Sequence, residues 1–176
     1  RDGRLFRFGV QLCEDMWCQD YRRDGEVLDT LKVFKERGAE AVFNLSASPW
    51  TWQKSDKRNR VVREILSASP LPFFYVNQVG AQNNGKNILV FDGDSTAYTS
   101  QGETTHRARA WTDGILYSTD RTVPPQPQSQ TDAIFNGIIT GLRHLDHIRG
   151  AKNKVLVAAS GGIDSSVVLY LLEQAF

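Results

Sequence analysis

The stretch Lys154–Ser166, KVLVAASGGIDSS, is the strongest single constraint on how this chain folds. Val155, Leu156 and Val157 form a short apolar run that predicts a strand. Small residues and two glycines follow, and the apolar-rich run Val167, Val168, Leu169, Leu171 and Leu172 predicts a helix. Strand, glycine turn and helix N-terminus in that order build an anion cradle. Glycine lets backbone N–H groups approach a phosphate closely, and the helix dipole adds partial positive charge. Ser160, Ser165 and Ser166 contribute hydroxyl donors. No Lys follows the second glycine, so this is not a Walker loop.

The run Ser160-Gly161-Gly162-Ile163-Asp164-Ser165 resembles the SGGxDS loop of the N-type ATP pyrophosphatases. A match of all six positions between a strand pattern and a helix pattern is more specific than an ordinary glycine-rich turn. The resemblance implies that Ser160, Gly161, Gly162, Ile163, Asp164, Ser165 and Ser166 bind the β,γ-phosphates of ATP, and that a substrate oxygen is adenylated with release of pyrophosphate. Asp164 is read two ways: it positions a metal or the loop, or it caps the helix that follows.

Near the other end, Leu5–Leu12 reads as a strand that stops at Cys13-Glu14-Asp15-Met16-Trp17. A lone cysteine is more often a packed core residue than a nucleophile. GVQLCEDMW, however, is similar to the nucleophile segment of the nitrilase-like amidases, in the form found in glutamine-dependent NAD synthetases. Those enzymes use a Glu–Lys–Cys triad. The resemblance makes Cys13 the nucleophile that attacks the amide of glutamine and lets the Glu14 backbone N–H hold the oxyanion. It places the triad's Glu and Lys upstream of Arg1, at positions that neither Glu14 nor Lys54 occupies. Cys18 has no metal-ligand spacing and is read as structural.

Between these motifs strands and helices alternate, which favours an α/β fold. Glu26–Arg37 carries Val27, Leu28, Leu31 and Phe34 at helical spacing and is closed by Gly38. Ala39–Leu45 is the next strand. The loop NLSASPWTWQK after it resembles the family's glutamine-holding loop, with Ser48 at the family serine, Lys54 where a basic residue pairs with the α-carboxylate, and Glu14 as partner for the ammonium. Lys offers a point charge there rather than a bidentate fork. Ser55–Ala68 is expected to be a helix with Val61, Val62, Ile65 and Leu66 inside and Lys57, Arg58, Arg60 and Arg63 on a solvated face.

Phe73–Val79 reads as a buried strand, Asn83-Asn84-Gly85 as a turn, Ile88–Phe91 as the returning strand, and Ser95–Thr99 as another strand after the turn Asp92-Gly93-Asp94. YVNQVG…ILVFDG also resembles the nitrilase-like domain, but Ala81-Gln82-Asn83-Asn84 stands where the family has Gly and an acidic residue, so no role is carried onto that turn. Ala108–Tyr117 resembles the domain's last strands. Val123–Gln130, VPPQPQSQ, has the composition of an extended linker. Thr131–Arg149 predicts an amphipathic helix with Ile134, Phe135, Ile138, Ile139, Leu142, Leu145 and Ile148 on its stripe. His144 and His147 on it lack further metal ligands.

The 176 residues have a formal net charge of +1 and no basic run, which argues against a nucleic-acid partner. No apolar stretch reaches membrane-spanning length, and two cysteines make no disulfide framework, so a cytoplasmic setting with reduced thiols is expected.

The fold expected is α/β: part of a nitrilase-like α/β sandwich over residues 1–122, a linker over 123–130, and over 131–176 the first strand–loop–helix of a Rossmann-like adenine nucleotide alpha hydrolase domain. Both ends read as cuts in a longer enzyme, and the segment alone is expected to be inactive and to expose apolar surface. A nitrilase-like glutaminase followed by this loop resembles the glutamine-dependent NAD synthetases. The implied reaction takes ammonia from glutamine, adenylates nicotinic acid adenine dinucleotide with ATP and Mg²⁺, and forms NAD as AMP leaves; a homo-oligomer is expected for the full-length enzyme. Another glutamine-dependent amidotransferase with this loop, or an inactive fragment, are the alternatives.

Overall fold

A computed structural model describes residues 3–18, 20, 28–117 and 129–176. The chain opens with β1 (Phe8–Leu12), a 3₁₀ turn (Cys13–Trp17), α1 (Thr30–Glu36), β2 (Ala41–Ser46), α2 (Lys54–Ala68) and β3 (Phe73–Asn77). Then come β4 (Val79–Asn83), β5 (Ile88–Asp92), β6 (Thr96–Tyr98), β7 (Thr104–Arg107), α3 (Gln130–Ile148) and α4 (Ile163–Ala175).

One sheet runs β1-β2-β3-β6-β7. Its first three strands are parallel, with Leu12 opposite Leu45 and Ser46 opposite Asn77. β6 and β7 add antiparallel, and β4–β5 form a separate hairpin in which Asn83 faces Ile88. Parallel pairing requires crossovers, and α1 and α2 supply them on one face. Leu31 from α1 and Val61, Val62, Ile65 and Leu66 from α2 pack there on Val42, Phe73 and Tyr75, with Met16 and Trp17 closing the end. α1 finishes as the sequence predicts: Gly38 at φ +76 donates to Lys35, and Ala39 donates to Phe34, which satisfies two carbonyls at the helix end. Gly9 of β1 lies under α1 so closely that a Cβ there would sit 2.5 Å from the Phe34 ring.

Several expectations change. Alternation in β1–β3 sends Gly9, Gln11, Val42, Asn44, Phe73, Tyr75 and Asn77 toward the helices, while Phe8, Val10, Leu12, Leu45 and Val76 face out and stay exposed. β3 is therefore buried on one face only. The interstrand rings Phe43 and Phe74 stack at 4.7 Å on that outer face.

Arg58 does not join a solvated face, because it is 1% exposed and its guanidinium lies 4.4 Å from the Tyr75 ring. Ala108–Tyr117 forms no strand; the strand lies just before it, as β7, whose TTHR sequence carries no apolar alternation and is fixed by its ladder with β6. Residues 151–160 form no strand either, since among the described residues no other strand pairs with them.

Most of the expected linker, and residues 26 and 27 of the first expected helix, lie outside the described residues. Gln130, placed in the linker, opens α3, whose N-cap Ser129 accepts from Asp132 N–H at 3.1 Å. α3 packs on β4, β5 and α4. Its Gly137 is where Trp111 and Trp50 approach, at 3.4 and 3.6 Å respectively from a Cβ placed there, whereas Ile134, Ile138, Leu145 and Ile148 of the expected stripe remain exposed. Among the described residues no helix is long and apolar enough to cross a membrane.

Candidate active site

Three parallel strands end side by side, and the residues just beyond their carboxyl ends collect the amidase-like motif. In open α/β sheets this edge is where ligands bind. Cys13 follows β1 immediately. Its φ of +32° is a conformation that a non-glycine residue holds at a cost of about 1–3 kcal/mol, offset by its surroundings. Leu12 N–H donates to the Asp15 carboxylate at 2.8 Å across this turn, and Asn44 Nδ2 donates to the Cys13 carbonyl at 3.4 Å. Cys13 is half-buried, Glu14 and Asp15 are exposed, and neither Cys13 nor Cys18 is in a disulfide. Cys18 packs against the core, consistent with a structural role.

Ser48 lies beyond β2 and is buried. Its backbone N–H donates to Asn77 Oδ1 at 2.9 Å, and Asn77 Nδ2 returns a bond to the Ser48 carbonyl at 3.3 Å. Lys54 is the first residue of α2, with its ammonium 4.7 Å from the Trp17 ring that ends the Cys13 turn. Burial pulls the Lys54 pKa below its ordinary value, and the cations Arg58 and Lys57 add to this; Cys13 and Asp92 pull the other way. Cys13, Ser48 and Lys54 thus belong to one end of the sheet.

Behind them lies a group that the sequence reading missed. Arg58 bonds Asp92 at 3.3 Å and Asp94 at 3.1 Å, and Arg107 bonds Asp94 and the Ser55 hydroxyl. The two carboxylates and two guanidinium groups balance in charge, which is what makes their burial tolerable. Burial still pushes the Asp92 carboxyl above its ordinary value against the pull of Arg58, and lifts the Tyr75 phenol to about 12. A cavity of about 330 Å³ borders this group; Lys54, Asp92, Asp94, Arg107, Trp50 and Trp111 are among its walls, and Cys13 and Ser48 are not. The missed signal was spacing: Arg58 stands three and four residues before Val61 and Val62, on the buried stripe of α2.

The second motif is separate. Gly161 has φ +84 and open space where a Cβ would go, Ser160 Oγ lies 3.3 Å from Ser165 Oγ, and both Ser165 and Ser166 hydroxyls donate to the Gly162 carbonyl at 3.0 Å. Gly162 is the N-cap of α4, so Ile163 and Asp164 fall in its first turn. Among the described residues no cluster of three or more His, Cys, Asp or Glu side chains is placed to hold a metal. Within the loop, Asp164 is the one carboxylate, and it stands in the first turn of α4.

This architecture is similar to that of a class of solved α/β synthetases. A solved glutamine-dependent NAD⁺ synthetase from Acinetobacter baumannii, in complex with adenosine diphosphate, matches with a TM-score of 0.79 at 27% identity, covering 96% of this chain and 31% of that one. The enzyme of the same name from Cytophaga hutchinsonii shares the fold, with a TM-score of 0.67 at 21% identity over 96% of this chain and 25% of that chain. Curated glutamine-dependent NAD(+) synthetases from Synechocystis sp. and Acinetobacter baylyi are each 29% identical over 96% of the chain. Along nearly its whole length the chain is therefore homologous to glutamine-dependent NAD(+) synthetases, and it spans 31% and 30% of the length of those two relatives. No family model matches it.

Proposed function

We propose that the chain carries the nucleophile end of a glutaminase site, within residues 1–122, and the phosphate loop of an ATP site, within residues 131–176, of a cytoplasmic enzyme that makes NAD from nicotinic acid adenine dinucleotide, ATP and glutamine. The observation that carries this reading is Cys13, held at φ +32 just past β1 and beside the loop that follows β2. The relatives named above favour it over another amidotransferase with the same loop.

In this reading the Cys13 thiolate attacks the side-chain amide carbon of glutamine. The Glu14 N–H, near the start of the 3₁₀ turn and so without a partner inside it, faces the developing oxyanion. The C–N bond breaks with a proton delivered to nitrogen, ammonia leaves, and water then hydrolyses the thioester. Ser48 and Lys54 hold the α-amino acid end, with the Lys54 ammonium toward the carboxylate. At the second site the Gly161 and Gly162 backbone and the Ser160, Ser165 and Ser166 hydroxyls bind ATP phosphates, with Asp164 beside the Mg²⁺. Bound Mg²⁺ neutralises phosphate charge.

The test is NAD formation by the full-length enzyme that contains this chain, with either glutamine or ammonium as nitrogen donor. Cys13→Ala should lower the glutamine-driven rate about 10³-fold or more and leave the ammonium-driven rate intact. Retention of glutamine-driven synthesis would refute the assignment.

A further inference from the structure

We infer that Asn77 and Asp92 are positioning residues of this site and set the separation between Ser48 and Lys54. The inference rests on the glutamine-site reading above.

Ser48 sits on an irregular loop whose backbone groups need partners from elsewhere. Asn77 supplies both: its Oδ1 accepts from Ser48 N–H at 2.9 Å, and its Nδ2 donates to the Ser48 carbonyl at 3.3 Å. The same amide nitrogen donates to Asp92 Oδ1 at 3.3 Å. Asp92 in turn accepts from Arg58 at 3.3 and 3.4 Å. Arg58 stands one helical turn after Lys54 on α2.

Contacts therefore run from Ser48 through Asn77, Asp92 and Arg58 to the helix that begins with Lys54. The chain itself runs directly from Ser48 to Lys54, so the two paths close a ring. Ser48, Asn77, Asp92 and Arg58 are all nine-tenths or more buried, which keeps water from substituting for any link. A closed ring of buried polar contacts fixes a distance more tightly than a free loop does. Asn77 and Asp92 act on the site through the Ser48 loop and the helix that carries Lys54.

The experiment uses Asp92→Asn, which keeps the shape and removes the charge, and Asn77→Ser, which leaves the Arg58–Asp92 pair intact. Each is measured in the full-length enzyme for glutamine KM, for ammonium-driven kcat, and for alkylation of Cys13 by iodoacetamide, a reagent with no α-carboxylate to hold. The expected result is a glutamine KM raised about ten- to hundredfold, with ammonium-driven kcat and alkylation rate unchanged. A glutamine KM within twofold of wild type overturns the proposal. So does a parallel fall in all three readouts, or failure of both variants to fold, since either assigns the residues to the core alone. Cys13→Ala run alongside separates the two levels: if it still hydrolyses glutamine, the site reading falls, whereas normal KM values in the Asn77 and Asp92 variants beside an inactive Cys13→Ala refute only the positioning role.

Discussion

Cys13 and the Ser160–Ser166 loop each follow a segment that the sequence reads as a strand, but only Cys13 is seated in a sheet. β1 has a full parallel register with β2, a helix over one face, and bonds from the Asp15 and Asn44 side chains at its terminal turn. The segment before Ser160 has no ladder; Leu156 is 98% exposed, and the loop's side-chain bonds stay within residues 160–166. The amidase-like turn is thus held by tertiary structure, and the phosphate loop by serine hydroxyl bonds to its own Gly162. Neighbouring residues suffice for the phosphate loop, whereas the geometry around Cys13 depends on Asn44, 31 residues away.

That contrast can be broken by measurement. Arg58→Ala, behind the Cys13 end, leaves buried Asp92 without its cation and should cost about 3–5 kcal/mol in urea unfolding. A loss no larger than that of a surface change would mean that the buried group does not brace this end. Gly161→Ala meets no neighbouring atom, so only its positive φ is penalised, at about 1–2 kcal/mol for that segment. Its larger effect should be weaker ATP binding, read by titration calorimetry. Smallest of all, Leu156→Ala should change stability by no more than about 0.5 kcal/mol; a core-sized loss in the full chain would show that Leu156 is covered there.

What was legible in the sequence follows the same division. α2 and α3 begin within one residue of their expected starts, because apolar periodicity and capping are local. The Asn83-Asn84-Gly85 turn and the Gly38 helix end were equally readable. Arg58 was misplaced because its charge outweighed its position on the stripe, and its partners Asp92 and Asp94 lie 34 and 36 residues away. β7 was missed since THR-type polar residues form a strand only when a neighbour such as β6 offers a ladder. The reverse held for Val155–Val157: strand-like composition without a partner makes no strand.

The contact between Gly9 and Phe34 has a consequence for how this chain can change over generations. A methyl group at position 9 would collide with three carbons of the ring, at 2.5 to 2.9 Å. A larger residue at position 9 is therefore costly unless the Phe34 ring moves or has become smaller, while Phe34 can shrink at any time at the cost of a void. The two positions are coupled in order: loss of ring volume at position 34 opens position 9, whereas enlarging position 9 first must displace the ring.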